Sequence, residues 1–239
     1  MDNTSLLSLA LNELNLANDD TTIKKLIGYL DFLYDYNKNI NLVGTKNKKD
    51  ILIRHLIDSI SLSKIIDINN PKKILDVGTG AGLPGIPLAI IYKDIEFYLL
   101  EAKKKAIIFL KKIIDILCIK NINILEGRAE EIIETDDHRE GYDLVTSRAL
   151  TKIDINLELV LPYCKIGGLV SIFKSKKGAS EIDRCSKPSR ILGGAKPKMV
   201  DVIVPFLGEY RAFLTVRKIS QTKLKYPRKY GIIKKSKLV

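Results

Sequence analysis

The residues with the clearest chemical meaning stand together in Asp76-Val77-Gly78-Thr79-Gly80-Ala81-Gly82-Leu83-Pro84-Gly85. Glycines at this density let a backbone turn sharply and approach a ligand, and a helix starting just after them offers unpaired N–H groups to a carboxylate or phosphate. A tight strand-to-helix turn with no ligand is the competing reading, and four glycines behind an acid at a strand end argue against it. The spacing is G-x-G-x-G, which differs from the dinucleotide fingerprint G-x-G-x-x-G. Downstream, Glu101 ends a second apolar run, where a carboxylate accepts hydrogen bonds from both ribose hydroxyls of a nucleoside; this suits adenosylmethionine and NAD equally. The alternative is a solvated acid facing Lys103 to Lys105. Gly127-Arg128-Ala129-Glu130-Glu131 supplies a backbone N–H and an acid able to read an adenine edge, while one of its glutamates serves as a helix-start acid favoured by the macrodipole. Thr146-Ser147-Arg148-Ala149 ends a fourth run with a planar guanidinium suited to a carboxylate or phosphate. A structural ion pair with Asp143 or Asp154 is the alternative there.

These groups need a frame. Lys72 to Val77, Ile95 to Glu101, Ile122 to Leu125, Tyr142 to Ser147 and Gly168 to Lys174 read as short buried strands, separated by helical segments. The clearest helix is Lys103 to Leu117, with Ile107, Leu110, Ile114 and Leu117 in one stripe. Such alternation predicts a doubly wound α/β fold, mainly parallel, with ligands at the carboxyl ends of the strands. Lys198 to Val204 and Tyr210 to Lys218 are joined by so short a link that they must pair antiparallel. A parallel sheet closed by a hairpin is the Rossmann-like layout of class I methyltransferases. Before it, Ile23, Ile27, Leu30 and Tyr34, then Ile53, Leu56 or Ile57 and Ile60, follow helical spacing, with Asp20-Thr21-Thr22 as a cap and Asn69-Asn70-Pro71 as a break. The expected organisation is a helical extension over 1–70, the ligand-binding domain over 71–220 and a basic tail over 221–239.

The 239 residues suffice for one α/β domain with an appendage, and the 46% apolar content for a core. No apolar run approaches the roughly 20 residues of a membrane span, and the N-terminus lacks the pattern of a signal peptide, so a cytoplasmic protein is expected. Three unpaired cysteines and two histidines are too scattered for a disulfide framework or a zinc site. The net charge of +12 suggests a polyanionic partner. Its excess sits at the end: Arg217 to Val239 holds nine basic residues and no acid.

Arg54-His55-Leu56-Ile57-Asp58-Ser59, Asp76 to Gly85 extended by Ile86-Pro87-Leu88, and Ser147-Arg148-Ala149 resemble the glucose-inhibited-division protein B family, bacterial 16S rRNA guanine-N7 methyltransferases. The similarity runs from Tyr36-Asn37-Lys38 to Tyr226-Pro227-Arg228-Lys229, with Ala81 and Tyr36 as mild departures. The resemblance implies S-adenosyl-L-methionine as cofactor, with Gly78, Leu83, Ala129, Glu130 and Arg148 in contact; the turn and second strand add Gly80 and Glu101. It implies Arg128, Lys174 and Arg211 on an RNA-facing side, to which the basic tail adds Arg228 and Lys229. The partner is then 16S rRNA or the small ribosomal subunit, with no membrane and no obligate protein partner. No general base is expected, because guanine N7 offers a lone pair without deprotonation. The competing readings are an RNA-binding protein on a degenerate methyltransferase fold and an NAD-dependent oxidoreductase.

Overall fold

The computed structural model describes residues 1–66, 72–135, 137–175, 182–236 and 238. Its centre is a seven-stranded sheet of order β3-β2-β1-β4-β5-β7-β6. The parallel strands are β1 (Lys73–Val77), β2 (Glu96–Glu101), β3 (Ile122–Glu126), β4 (Tyr142–Ser147) and β5 (Cys164–Ser175). β6 (Lys198–Val202) and β7 (Arg211–Arg217) form the expected antiparallel hairpin, and β7 also runs antiparallel to β5. The central strands carry apolar side chains at consecutive positions because both faces are covered. Ile74, Phe97, Leu99 and Leu144 enter one cluster, while Leu75, Val77, Leu100 and Val145 enter the other.

The first cluster is capped by helices from the beginning of the chain, α1 (Asn3–Glu13) and α2 (Asp20–Asn37), and by α5 (Gly85–Ile91) and α6 (Lys104–Ile116). The N-terminal extension therefore shares one apolar core with the sheet. The cap of α2 lies one residue earlier than the sequence suggests: the Asp19 carboxylate accepts from the Thr22 amide at 3.0 Å and the Thr22 hydroxyl at 2.6 Å, which leaves Asp20 in the first turn. A broken helix follows, built of α3 (Lys48–Ile51), a π-helical turn (Leu52–Ile57) and α4 (Asp58–Ile60). The expected break at Asn69-Asn70-Pro71 lies outside the described residues.

The second cluster is covered by α7 (Ala129–Ile132), α8 (Ile153–Val160), α9 (Ile182–Ile191) and α10 (Tyr230–Lys235). The last of these lies within the expected basic tail over 221–239, and part of that segment packs on the domain. Tyr226 and Ile233 are buried in this cluster, and Arg139 Nη2 donates to the Tyr226 carbonyl at 2.8 Å. Arg228, read from sequence as a phosphate contact, instead holds the buried Glu158: its amide, Nε and Nη2 donate to that carboxylate at 2.9, 2.8 and 2.7 Å. Four apolar anchors, the buried Tyr226 and Ile233 and the partly buried Tyr230 and Leu238, seat the segment, too few to stand out among its lysines. No described helix is long and apolar enough to cross a membrane.

Candidate functional site

The glycine turn leaves β1 with Gly78, Gly80 and Gly82 at φ of +69, +58 and +84°. The Gly78 and Thr79 amides both donate to the Leu100 carbonyl, at 2.8 and 3.2 Å, tying the turn to β2. At Gly85, a Cβ would stand 2.2 Å from Leu99 Cδ2, so its absence lets α5 lie directly on the sheet. Asp76 is the internal staple of this turn: its Oδ2 accepts from the Thr79 hydroxyl at 2.7 Å and the Gly85 amide at 2.9 Å. Its other oxygen, Oδ1, is buried without a hydrogen-bond partner among the described residues.

Burial pushes the Asp76 carboxyl up to about 7, against the lowering effect of the bonds from Thr79 and Gly85. The folded state therefore binds this proton more tightly than the unfolded chain. Its contribution to stability is complete below about pH 4 and is lost as pH rises through about 7. Asp76→Asn is expected to flatten that part of the profile, which thermal melts of both proteins between pH 4 and 8 would show as a difference in melting temperature that grows with pH. A constant difference would contradict the assignment.

Glu101 is 6% exposed and is no solvated acid. Its Oε2 accepts from the Gly80 amide at 2.9 Å, and its Oε1 from the amides of Ala102 and Lys103, both at 2.8 Å. These three donors take three of the roughly four acceptor positions of a carboxylate. One position remains on Oε2 for a further donor. Glu101→Ala is expected to weaken adenosylmethionine binding by about 10- to 100-fold, the range for a charge-assisted hydrogen bond. An unchanged calorimetric isotherm would show that the carboxylate serves the turn alone.

Beyond β3, the Gly127 amide donates to the Glu101 carbonyl at 2.9 Å, which brings the start of α7 beside β2. Ala129 is buried and its carbonyl accepts the Tyr163 hydroxyl at 2.5 Å, while Glu130 is half-buried and Arg128 exposed. All three border one cavity of about 570 Å³, together with Gly78, Gly80, Leu83, Glu101 and Arg148. The structure thus gathers every sequence-predicted cofactor residue around a space of the size small ligands use. Leu42, Val43 and His55 face it from the helical extension, and Tyr230 from α10.

Arg148 is paired neither with Asp143 nor with Asp154. Asp143 binds Lys165 and the amides of Lys72 and Lys73, and Asp154 accepts from the Ile155 amide. Arg148 instead grips the R-H-L-I-D-S block. Nη1 donates to the His55 carbonyl at 3.1 Å and the Ser59 hydroxyl at 3.0 Å, and Nη2 to the Arg54 carbonyl at 2.6 Å and His55 Nδ1 at 3.1 Å. Asp58, 3% exposed, sits 3.1 Å from Nη2 and 3.2 Å from Arg211 Nε. Burial raises the Asp58 carboxyl, and these two arginines oppose that rise. Both carbonyls that Arg148 uses belong to the π-helical turn. Reasoning from spacing left His55, which lines the cavity, and Asp58, buried between two arginines, without a role; Arg54, His55 and Asp58 on one helical face were the available signal.

The remaining candidates sit around this edge. Lys174 and Arg211 stand in adjacent registers on β5 and β7, opposite Ala212 and Ser175, at the carboxyl end of the sheet but outside the cavity lining. Arg211 also lies 3.3 Å from Glu209, which binds Arg54 at 2.7 Å. Lys229 is exposed at the start of α10, whereas Arg228 turns away to Glu158.

Residues 22–208 match the family model described as GidB, rRNA small subunit methyltransferase G. Among curated proteins, the chain is 36% identical to the Ribosomal RNA small subunit methyltransferase G of Clostridium botulinum (strain ATCC 19397 / Type A), covering 98% of both chains. It is 39% identical to that of Oenococcus oeni (strain ATCC BAA-331 / PSU-1), over 87% of this chain and 86% of the relative. Among solved structures, it shares the fold of M. jannaschii TYW2, crystallised in complex with AdoMet, with a TM-score of 0.51 and 18% identity over 68% of this chain and 77% of the other. Matched over most of its length by the family and by relatives above 30% identity, the chain belongs to the GidB family, the rRNA small subunit methyltransferases G.

Proposed function

We propose that this chain transfers the methyl group of S-adenosyl-L-methionine to N7 of a guanine in the 16S rRNA of the small ribosomal subunit. The observation that carries the reading is the cradle in which the Glu101 carboxylate is pinned to the Gly80 amide at 2.9 Å on the wall of the cavity. A Cβ at Gly80 would meet nothing within 4 Å among the described residues beyond its chain neighbours, so the turn leaves open room where a nucleoside's sugar would lie. The residues present therefore fit the cofactor. Gly78, Gly80 and Leu83 form the floor, Glu101 accepts a ribose hydroxyl, and Ala129 with Glu130 borders the adenine.

Bound adenosylmethionine supplies an activated methyl, whose transfer leaves a neutral thioether and a cationic 7-methylguanine. The chain's part is alignment and exclusion of water, a proximity effect of up to roughly 7–11 kcal/mol. Nη1 and Nη2 of Arg148 are engaged by the helical extension, so its direct reach toward a cofactor carboxylate is through Nε, and its larger task is holding that extension over the cavity. Arg128 and Lys229 on the exposed rim would take phosphates, with Lys174 and Arg211 along the sheet edge. The reading implies a cytoplasmic protein working on rRNA or an assembling subunit.

Titration calorimetry with adenosylmethionine and NAD, followed by transfer of labelled methyl to small subunits and to naked 16S rRNA, tests this reading. Adenosylmethionine binding with label in rRNA is expected. Binding of NAD alone would support an oxidoreductase, and RNA binding without cofactor binding would support a degenerate fold.

A further inference from the structure

The buried block that Arg148 grips leaves one group facing the cavity with no task inside the protein. An arginine guanidinium only donates hydrogen bonds, so the 3.1 Å contact from Arg148 Nη2 makes His55 Nδ1 an acceptor. The imidazole is then neutral, with its proton on Nε2, and that N–H meets no protein acceptor among the described residues. The ring is also fixed through its backbone, since Arg148 Nη1 holds the His55 carbonyl at 3.1 Å. Burial and the surrounding Arg148, Arg54 and Arg211 push the imidazolium down to about 4, in keeping with a neutral ring.

Sheet order assigns the two ends of the cavity. Glu101 on β2 and residues 127–130 after β3 lie on one side of β1, while Arg148 after β4 and His55 above it lie on the other. With the nucleoside of the cofactor on the β2–β3 side, the space beside His55 is left to the base that receives the methyl. The edge of guanine carrying N7 has a second acceptor, O6, whereas adenine has an amino donor there. We infer that His55 Nε2–H donates to O6 of the target guanine and so selects guanine over adenine while orienting N7. A neutral donor suits this place, because the methylated base becomes cationic and an imidazolium would repel it. This inference rests on the guanine-N7 reading above.

The test separates the two halves of the ring. Asn at position 55 keeps an acceptor near Nδ1 for Arg148 and removes the distal donor, whereas Gln keeps a donor near Nε2. Small-subunit rRNA is prepared with guanine or with 2-aminopurine, which retains N7 but lacks O6, at the mapped target position. Methylation is compared as kcat/KM for wild type, His55→Asn and His55→Gln, with adenosylmethionine affinity measured for each. Wild type should prefer guanine by about tenfold beyond the preference of His55→Asn, the effect of one hydrogen bond. His55→Gln should recover part of that preference, with cofactor affinity within twofold of wild type for both variants. An equal guanine preference in wild type and in both variants would overturn the inference while leaving methyl transfer intact. A wild-type enzyme that places no methyl on guanine N7 would instead overturn the reading beneath it. A variant that does not fold still leaves the comparison between wild type and the other.

Discussion

Arg228→Ala is expected to lower the stability of the fold by about 3–5 kcal/mol, the range for removing one partner of a buried ion pair. Glu158 is the reason: its side chain is 1% exposed, and Arg228 supplies all three hydrogen bonds it is seen to accept. Taking away the guanidinium removes two of these bonds and the opposing charge, leaving a buried carboxylate held by the residue-228 amide alone. Urea denaturation should show the loss, while Lys229→Ala, one residue on and exposed, should stay within about 0.5 kcal/mol of wild type. In RNA binding the order reverses. Lys229→Ala is expected to reduce the dependence of log affinity on log salt by about 0.7–0.9, the effect of one phosphate contact, with no change in folding. An Arg228→Ala protein with wild-type stability and a reduced salt slope would return Arg228 to the role its sequence position suggests. Deleting residues 226–239 is expected to harm both folding and cofactor binding, because Tyr226 and Ile233 are core residues and Tyr230 walls the cavity.

Gly78→Val should abolish adenosylmethionine binding, with a dissociation constant raised by more than about 100-fold. Two effects combine. The backbone at φ +69° lies in the left-handed region that β-branched residues scarcely adopt. In addition, a Cβ there would come within 2.3 Å of Leu150 Cδ1, another wall of the same cavity. The turn must open or Leu150 must move into the ligand's space. Calorimetry on variant protein whose circular dichroism and melting remain cooperative is the check. Gly231→Ala is the control, as a Cβ at that position meets nothing within 4 Å and φ is ordinary. Unchanged affinity in Gly78→Val would mean that the cofactor does not approach this turn.

What the sequence makes legible follows the range of its physics. Strand runs, the amphipathic α6 and the glycine turn are patterns of neighbouring residues, so they survive reading without coordinates. The hairpin was legible too, since a short link leaves two strands little choice but to pair. Charge partners were not. Arg148 reaches Ser59 across 89 positions and Arg228 reaches Glu158 across 70, and no periodicity marks such pairs. Arg148 was credited with an external ligand on account of its place at a strand end and Arg228 on account of the basic tail, and both hold partners inside the protein. The same limit hid the role of His55, which depends on an arginine 93 residues away. Glu101 shows the opposite case: its place at a strand end was readable, but the three amides that orient its carboxylate were not.

The most direct test of the central claim is mass mapping of nuclease-digested 16S rRNA from cells with and without the gene for this chain. The account predicts one fragment lighter by a single methyl in the deletion strain, with the missing group on N7 of a guanine, and its return when purified protein and adenosylmethionine are added to the mutant's small subunits. Identical rRNA from the two strains, or a missing methyl at any position other than guanine N7, would contradict it.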